Sequence, residues 1–253
     1  MIEKLKNVTR SIKESKKYLK MNQLQNLRIE RMVSENNWSN VFNSAINGSK
    51  WFKDVPLNVG RWAANYSLLY VLYRILNEIN PENILEFGLG ETTKMLQVYK
   101  QCFNRNSNCI TIEQDDLWID MRLNNGISGD FITIIQADVI NTNINSHCSS
   151  MYDQLVEKLE PLDLKFDLIL IDGPIGSTNY SRYNIIELIE QDFLSENFII
   201  IMDDYERRGE QQTIEQVIKL LRDKKFEFVS GCYSGAKDQF LICCKKYQYL
   251  TTL

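Results

Sequence analysis

"NILEFGLGETTKM" occupies residues 83–95, and its reading decides the fold. An apolar run carries Glu86, Gly88 and Gly90 follow two residues apart, and a polar stretch then opens toward a helix. A strand that turns on glycines into a helix is a building unit of α/β sheets. Such a turn can hold a phosphate, a nucleoside or nothing, and the rest of the chain must discriminate.

Downstream, strand and helix patterns alternate. Strands fit "NILEFG" (83–88), "CITIEQ" (109–114), "FITIIQAD" (131–138), "FDLILIDG" (166–173) and "FIIIMDD" (198–204), nearly continuous apolar runs that suit a parallel sheet covered on both faces. Helical stretches such as "TTKMLQVYKQC", "MYDQLVEKLE" and "YNIIELIEQDFL" lie between them. A further helix, "QTIEQVIKLLRDK", precedes "FEFVSGCYS" and "DQFLICCKK", whose tight link "SGAKD" predicts an antiparallel pair at the end of the sheet. The expected architecture is α/β: a seven-stranded, mostly parallel sheet with an antiparallel last strand. The Asn-rich stretch 141–147 reads as a loop.

Upstream, residues 1 to about 50 read as helical, with Ile2, Leu5, Val8, Ile12 and Leu19 at three- to four-residue steps among basic residues. That stripe fits an arm for homo-oligomerisation or a helix packed on its own domain. Residues 47–66 mix turn formers with Trp51, Phe52, Trp62 and Tyr66, as in a linker folded over something. A helix through "SLLYVLYRILNEI" is stopped by Asn80-Pro81. We divide the chain into an arm and lid, 1–60, and a main domain, 61–253.

Composition narrows the function. The 253 residues are 44% hydrophobic and 25% charged, with a net charge of -4. A pI near 5.3 and the lack of an [ND]-P-P-[YF] motif argue against a nucleic-acid partner. Apolar runs are too short for a bilayer, and the N-terminus lacks the apolar core of a secretory signal, so no membrane partner is expected and the reading is cytoplasmic. None of the six cysteines forms a C-x-x-C pair, and they are expected as reduced thiols, with Cys243 and Cys244 on opposite faces of a strand. The one histidine, His147, reads as a solvated loop residue, which discounts a His-based metal site or a Ser-His-Asp triad.

Each of the first five proposed strands carries an acid at its end: Glu86, Glu113, Asp138, Asp172, and Asp203 with Asp204. In open parallel sheets ligands bind at the carboxyl ends of the strands. A dinucleotide fingerprint needs a third glycine where Thr93 stands, and Glu86 would face the pyrophosphate. A P-loop is excluded because no G-K-[ST] occurs. An acid before the turn suits a positively charged ligand without phosphate.

"ILEFGLGETTKM" resembles motif I of the class I S-adenosylmethionine-dependent methyltransferases, and the likeness runs over about residues 61–253. The resemblance implies a Rossmann-like methyltransferase fold with S-adenosylmethionine as cofactor. It places Glu86, Gly88, Gly90 and Thr92 at the methionine end, Glu113 on the ribose hydroxyls, Asp138 near the adenine amino group and Asp172 beside the cofactor. Two alternatives keep the same fold: a metal-independent small-molecule N-methyltransferase and a nucleoside-binding protein without catalysis.

For the methyl acceptor, Asp172, Asp203 and Asp204 converge at one edge of the cleft. Unpaired, they would repel one another, and a divalent cation, Mg²⁺ or Mn²⁺, would resolve this and activate a hydroxyl. "IIIMDDYERRGE" is similar to the macrocin-type cation-dependent O-methyltransferases, which act on sugar hydroxyls, and less so to plant polysaccharide O-methyltransferases. Two positions depart from the related patterns: Ile175 stands for the Lys of catechol-type enzymes, and Pro174 for a second Asp of the macrocin type. Asp172, Asp203 and Asp204 are therefore the candidate catalytic and metal-binding residues. Tyr180, Arg182 and Tyr183 in the loop 174–184, with Arg207, are candidates for a sugar or other small-molecule substrate.

Overall fold

The structure, a computed structural model, describes residues 2–52, 55–60 and 63–253, with side chains from residue 13 onward. Trp62 and the side chains of Ile2, Leu5, Val8 and Ile12 lie outside the described residues.

The apolar runs become a seven-stranded sheet. In chain order its members are β1 (Asn83–Phe87), β2 (Asn108–Glu113), β3 (Thr133–Gln136), β6 (Phe166–Ile171), β7 (Leu194–Met202), β8 (Phe228–Ser234) and β9 (Asp238–Cys244). Their spatial order is β3-β2-β1-β6-β7-β9-β8. Pairing is parallel from β3 to β7, while β9 runs antiparallel to both β7 and β8. This Rossmann-like arrangement is the one the sequence predicts.

Side-chain alternation fills two cores. Ile84, Leu168, Leu170, Ile199 and Ile201 face one layer; Leu85, Phe87, Ile169, Ile171 and Ile200 face the other. Cys243 and Cys244 part to opposite faces as expected. The first layer is built on α2 (Tyr66–Glu78) and α3 (Glu91–Cys102), the second on α5 (Leu155–Leu159), α6 (Asn184–Glu190) and α7 (Arg208–Asp223). A helix absent from the sequence reading, α4 (Asp116–Asn124), follows β2 and is capped by Asp115, which accepts from the Trp118 amide at 3.1 Å.

The stretch 141–147 is a correction. It belongs to a hairpin of β4 (Val139–Ile144) and β5 (His147–Tyr152) that pairs outside the main sheet. Asn145 and Ser146 form its two-residue turn with φ of 49° and 68°, the left-handed pair such hairpins favour. Its Asn-rich sequence, without a long apolar run, hid it. His147 begins β5 and is exposed.

The N-terminal region is one helix, α1 (Ile2–Asn47), whose C-terminal half packs Trp38, Phe42, Ala45 and Ile46 against the first layer. Beyond it Trp51 and Phe52 are buried, with Trp51 stacked on Tyr73 at 5.5 Å. Each such side chain contributes roughly 1.5–3 kcal/mol on burial, enough to pin the linker to the domain. Among the described residues no helix is long and apolar enough to cross a membrane.

Candidate active site

The turn after β1 is built from its own side chains. Gly88, at φ 94°, donates to the Ile112 carbonyl at 2.8 Å and passes directly beside the start of the loop after β6. The Gly90 amide donates to Thr93 Oγ1 at 2.9 Å, and Thr93 Oγ1 donates to Glu86 Oε2 at 2.6 Å. Thr111 donates to the same oxygen at 2.8 Å. Thr93, standing where a dinucleotide fold keeps glycine, thus ties the turn to Glu86. Glu86 is fully buried, and burial pushes its carboxyl up to about 7. This corrects its expected place: it braces the turn from behind and is absent from the cleft lining.

The cleft in front of that turn has a volume of about 480 Å³, within the roughly 300–1,000 Å³ of small-molecule sites. Gly88, Gly90, Thr92, Glu113 and Asp172 line it. A side chain added at Gly90 would meet nothing nearer than Thr92 Oγ1 at 4.0 Å, so the backbone there opens onto space. Glu113 is held by three backbone amides: Leu89 on Oε2 at 3.0 Å, and Gln114 and Asp115 on Oε1 at 2.8 and 3.1 Å. A carboxylate offers about four acceptor sites, which leaves one for a ligand hydroxyl rather than a pair. Asp138 does not reach the cleft. It is exposed beyond the end of β3, where it accepts from Gln136 Nε2 at 3.0 Å.

At the other end of the cleft β6 and β7 deliver the three aspartates. Asp203 and Asp204 are buried and Asp172 is half-buried. Arg182 was expected on the substrate; the structure buries it under the acids. Its guanidinium donates to Asp204 Oδ2 at 2.7 Å, Asp172 Oδ1 at 3.3 Å and the Asp203 carbonyl at 2.9 Å. Arg182 and Asp204 both take left-handed φ, 57° and 58°. Such backbone costs about 1–3 kcal/mol and persists where its surroundings hold it. Arg207 lies at the cleft wall, half-exposed, 2.9 Å from Asp204. Tyr180 and Tyr183 are corrected as well: they stand outside the lining, Tyr180 against His147 and against Tyr183 at 6.0 Å.

Lys237, unnoticed in the sequence, completes this end. It sits in the β8–β9 turn with Nζ 2.9 Å from Asp203 Oδ2 and 3.5 Å from Asp204 Oδ1. The signal was available: an antiparallel last strand begins where its neighbour ends, so the turn before it falls at the ligand edge. Trp118, Arg122 and Asn58 also line the cleft. Trp118 Nε1 donates to the Leu89 carbonyl at 2.6 Å, and Arg122 pairs with Glu91 at 2.8 Å.

The electrostatics separate the acids. Burial, then the charge of Asp203, pushes the Asp172 carboxyl up to about 8. Burial opposes the charge of Asp203 too, but Lys237 and Gln239 hold its carboxyl below the usual range. Lys237 is raised by Asp203, Asp172 and Asp204 against the effect of its burial and stays charged. Two carboxyls with pKa values driven apart are suited to different roles.

The donor set bears on the expected metal. One oxygen from each aspartate lies within 4.8 Å of the others. Yet both Asp203 oxygens are occupied, by Lys237 at 2.9 Å and Gln239 at 2.8 Å. Arg182 and Arg207 share Asp204 Oδ2. A divalent ion here would lie against an ammonium and a guanidinium, and like charges disfavour it. The repulsion that called for a metal is met by organic cations, so this set does not fit a divalent ion with Lys237 in place. For S-adenosylmethionine the cleft fits: open backbone at Gly90, a carboxylate acceptor in Glu113, and Asp172 and Asp204 in the lining at the other end.

No family model matches the chain, and no curated protein sequence does. Among solved structures it is similar to an O-methyltransferase from Bacillus cereus in complex with SAH, at 13% identity, covering 84% of this chain and 91% of that one, with a TM-score of 0.45. It is also similar to the O-methyltransferase TomG from Streptomyces achromogenes in complex with SAM, at 12% identity, covering 82% and 88%, with a TM-score of 0.48. A precorrin-6y C5,15-methyltransferase from Geobacter metallireducens is 11% identical, with 77% and 97% covered and a TM-score of 0.49.

Proposed function

We propose that this chain is an S-adenosylmethionine-dependent O-methyltransferase acting on a small polar acceptor, with a sugar or nucleotide-sugar hydroxyl as first candidate. The observation that carries the reading is a strand-end cleft with an amide-held carboxylate, Glu113, at one side and Asp172, with its raised pKa, at the other. When bound, the cofactor supplies an electrophilic methyl group on a sulfonium. Gly88, Gly90, Thr92 and Glu113 would hold it. Asp172, titrating near 8, accepts the hydroxyl proton; a base is most effective with its pKa near the working pH. Asp203, kept ionised, helps to raise that pKa, and Arg182, donating to Asp172 Oδ1, fixes the position of the group.

A second reading, assistance by Mg²⁺ or Mn²⁺, is favoured by the convergence of the three aspartates and requires Lys237 to move aside. We place the reaction in the cytoplasm, a reading supported by six free thiols. The first 60 residues serve as arm and lid, for Asn58 borders the cleft and its amide donates to Glu91 at 2.9 Å.

Calorimetry with S-adenosylhomocysteine tests the cofactor. The purified chain should bind it saturably, and Glu113→Ala should weaken binding about tenfold or more, the worth of one hydrogen bond to a charged group. Binding of NADH in its place would restore the dinucleotide reading. Binding without methyl transfer to any sugar hydroxyl offered would favour a nucleoside-binding protein or an N-methyltransferase.

A further inference from the structure

We propose, on the methyltransferase reading above, that the Lys237 ammonium is the acceptor-binding cation of this site, seated among Asp172, Asp203 and Asp204 where a divalent metal would otherwise lie. The register delivers it there. β9 runs antiparallel to β7 with Met202 opposite Phe240, so the turn before β9 falls where β7 releases Asp203 and Asp204. Nζ contacts one oxygen of each, at 2.9 and 3.5 Å, and the residue lines the cleft. An ammonium has three donors. One serves Asp203, which leaves capacity for an oxygen in the cleft. Asp204 Oδ1, buried and without a hydrogen-bond partner among the described residues, faces the same point.

The turn that carries Lys237 is braced. Glu35 accepts from the Ala236 amide at 2.7 Å, Arg31 pairs with Asp238 at 3.0 Å, and Trp38 Nε1 donates to the Ser234 carbonyl at 2.9 Å. A side chain added at Gly235 would meet Ser67 Oγ at 2.8 Å and Asn65 Nδ2 at 2.9 Å, so the tip lies hard against the start of α2. A lysine held this way is a fixed charge, unlike a solvated surface ammonium. The same charge selects the acceptor. A hydroxyl oxygen gaining negative charge in the cleft is stabilised by the Lys237 ammonium, which keeps donor capacity toward it. The site therefore takes oxygen acceptors.

Mn²⁺ titration followed by electron paramagnetic resonance tests this without knowledge of the acceptor. The wild-type chain and Lys237→Arg should show no saturable Mn²⁺ site up to about 1 mM, whereas Lys237→Met should gain one site at least about tenfold tighter, because the three carboxylates lose their cation. Lys237→Gln repeats the measurement should the methionine variant fail to fold, judged by melting temperature. One tight Mn²⁺ per wild-type chain would overturn the proposal, as would folded Lys237→Met and Lys237→Gln with no gain over wild type. S-adenosylhomocysteine calorimetry on the same samples separates the two readings: loss of its binding in every sample, wild type included, rejects the cofactor assignment, while the Mn²⁺ titration still judges the lysine.

Discussion

Gly88 and Gly90 stand two residues apart and do different work. Gly88 has a φ of 94°, and an added side chain would lie 3.3 Å from the carbonyl carbon and oxygen of Asp172, which are backbone and cannot give way. Gly90 has an ordinary extended backbone and opens onto the cleft. Alanine at the two sites should therefore separate stability from binding. Gly88→Ala should lose at least about 1–2 kcal/mol, the cost of left-handed backbone, in a denaturant melt. Gly90→Ala should melt within about 1 kcal/mol of wild type yet bind S-adenosylhomocysteine about tenfold or more weakly. Equal loss of stability at both positions would mean that the second glycine is structural too. The sequence marks both as glycine and cannot say which one meets ligand, because the difference lies in the path of a strand 80 residues further on. Glu86 shows the same limit. Its place before the turn is legible, but whether its carboxyl points into the cleft or behind the turn depends on Thr93 and Thr111, which lie on separate elements.

At the scale of elements, strands buried on both faces announce themselves by continuous apolar runs, which makes β1, β2, β6 and β7 legible, while the partly exposed β8 is read from the tight link that joins it to β9. The β4–β5 hairpin is not legible, because Asn, Thr and Ser interrupt any apolar run in it and its pairing is local. The acceptor end was half legible. Strand-end acids mark Asp172, Asp203 and Asp204, but the cations that answer them arrive from outside the strands: Arg182 from the loop after β6 and Lys237 from the β8–β9 turn. The brace on that turn gives an element-level expectation. Glu35 accepts from the Tyr66 amide, Asn65 Nδ2 and the Ala236 amide, at 2.6, 2.9 and 2.7 Å, and so joins α1 to α2 and to the β8–β9 tip. Glu35→Ala should cost about 1–3 kcal/mol, since hydrogen bonds to a charged group are lost at three donors. Amide exchange at residues 234–238 should quicken well beyond that of the strands themselves. Unchanged exchange at the tip would show that strand pairing alone holds Lys237 in place.

For the molecule as a whole, α1 poses the open problem. Its 46 residues reach roughly 70 Å at about 1.5 Å per residue, and the side chains it packs on the first core layer, Trp38, Phe42, Ala45 and Ile46, lie in its C-terminal half. Tyr18, Met21, Ile29 and Met32 share one face and are 71%, 48%, 57% and 62% exposed. At 100° per residue they fall within about 80° of arc, while Leu19, Leu24 and Leu27 are exposed on other sides of the same helix. Covering such side chains is worth roughly 1.5–3 kcal/mol each when complete, enough when doubled by symmetry to offset an association cost of about 4–15 kcal/mol. We therefore expect a second copy of α1 on this face. A chain lacking residues 1–27 keeps Arg31, Ser34, Glu35 and Trp38, and with them the brace on the Lys237 turn. It loses Tyr18 and Met21, half of the stripe, so it should self-associate more weakly in sedimentation than the full chain, and it should bind S-adenosylhomocysteine within about twofold of wild type. If the full chain is already monomeric at micromolar concentration, the stripe does not pair with itself. If truncation weakens cofactor binding tenfold, the arm acts on the cleft from a distance rather than only joining copies.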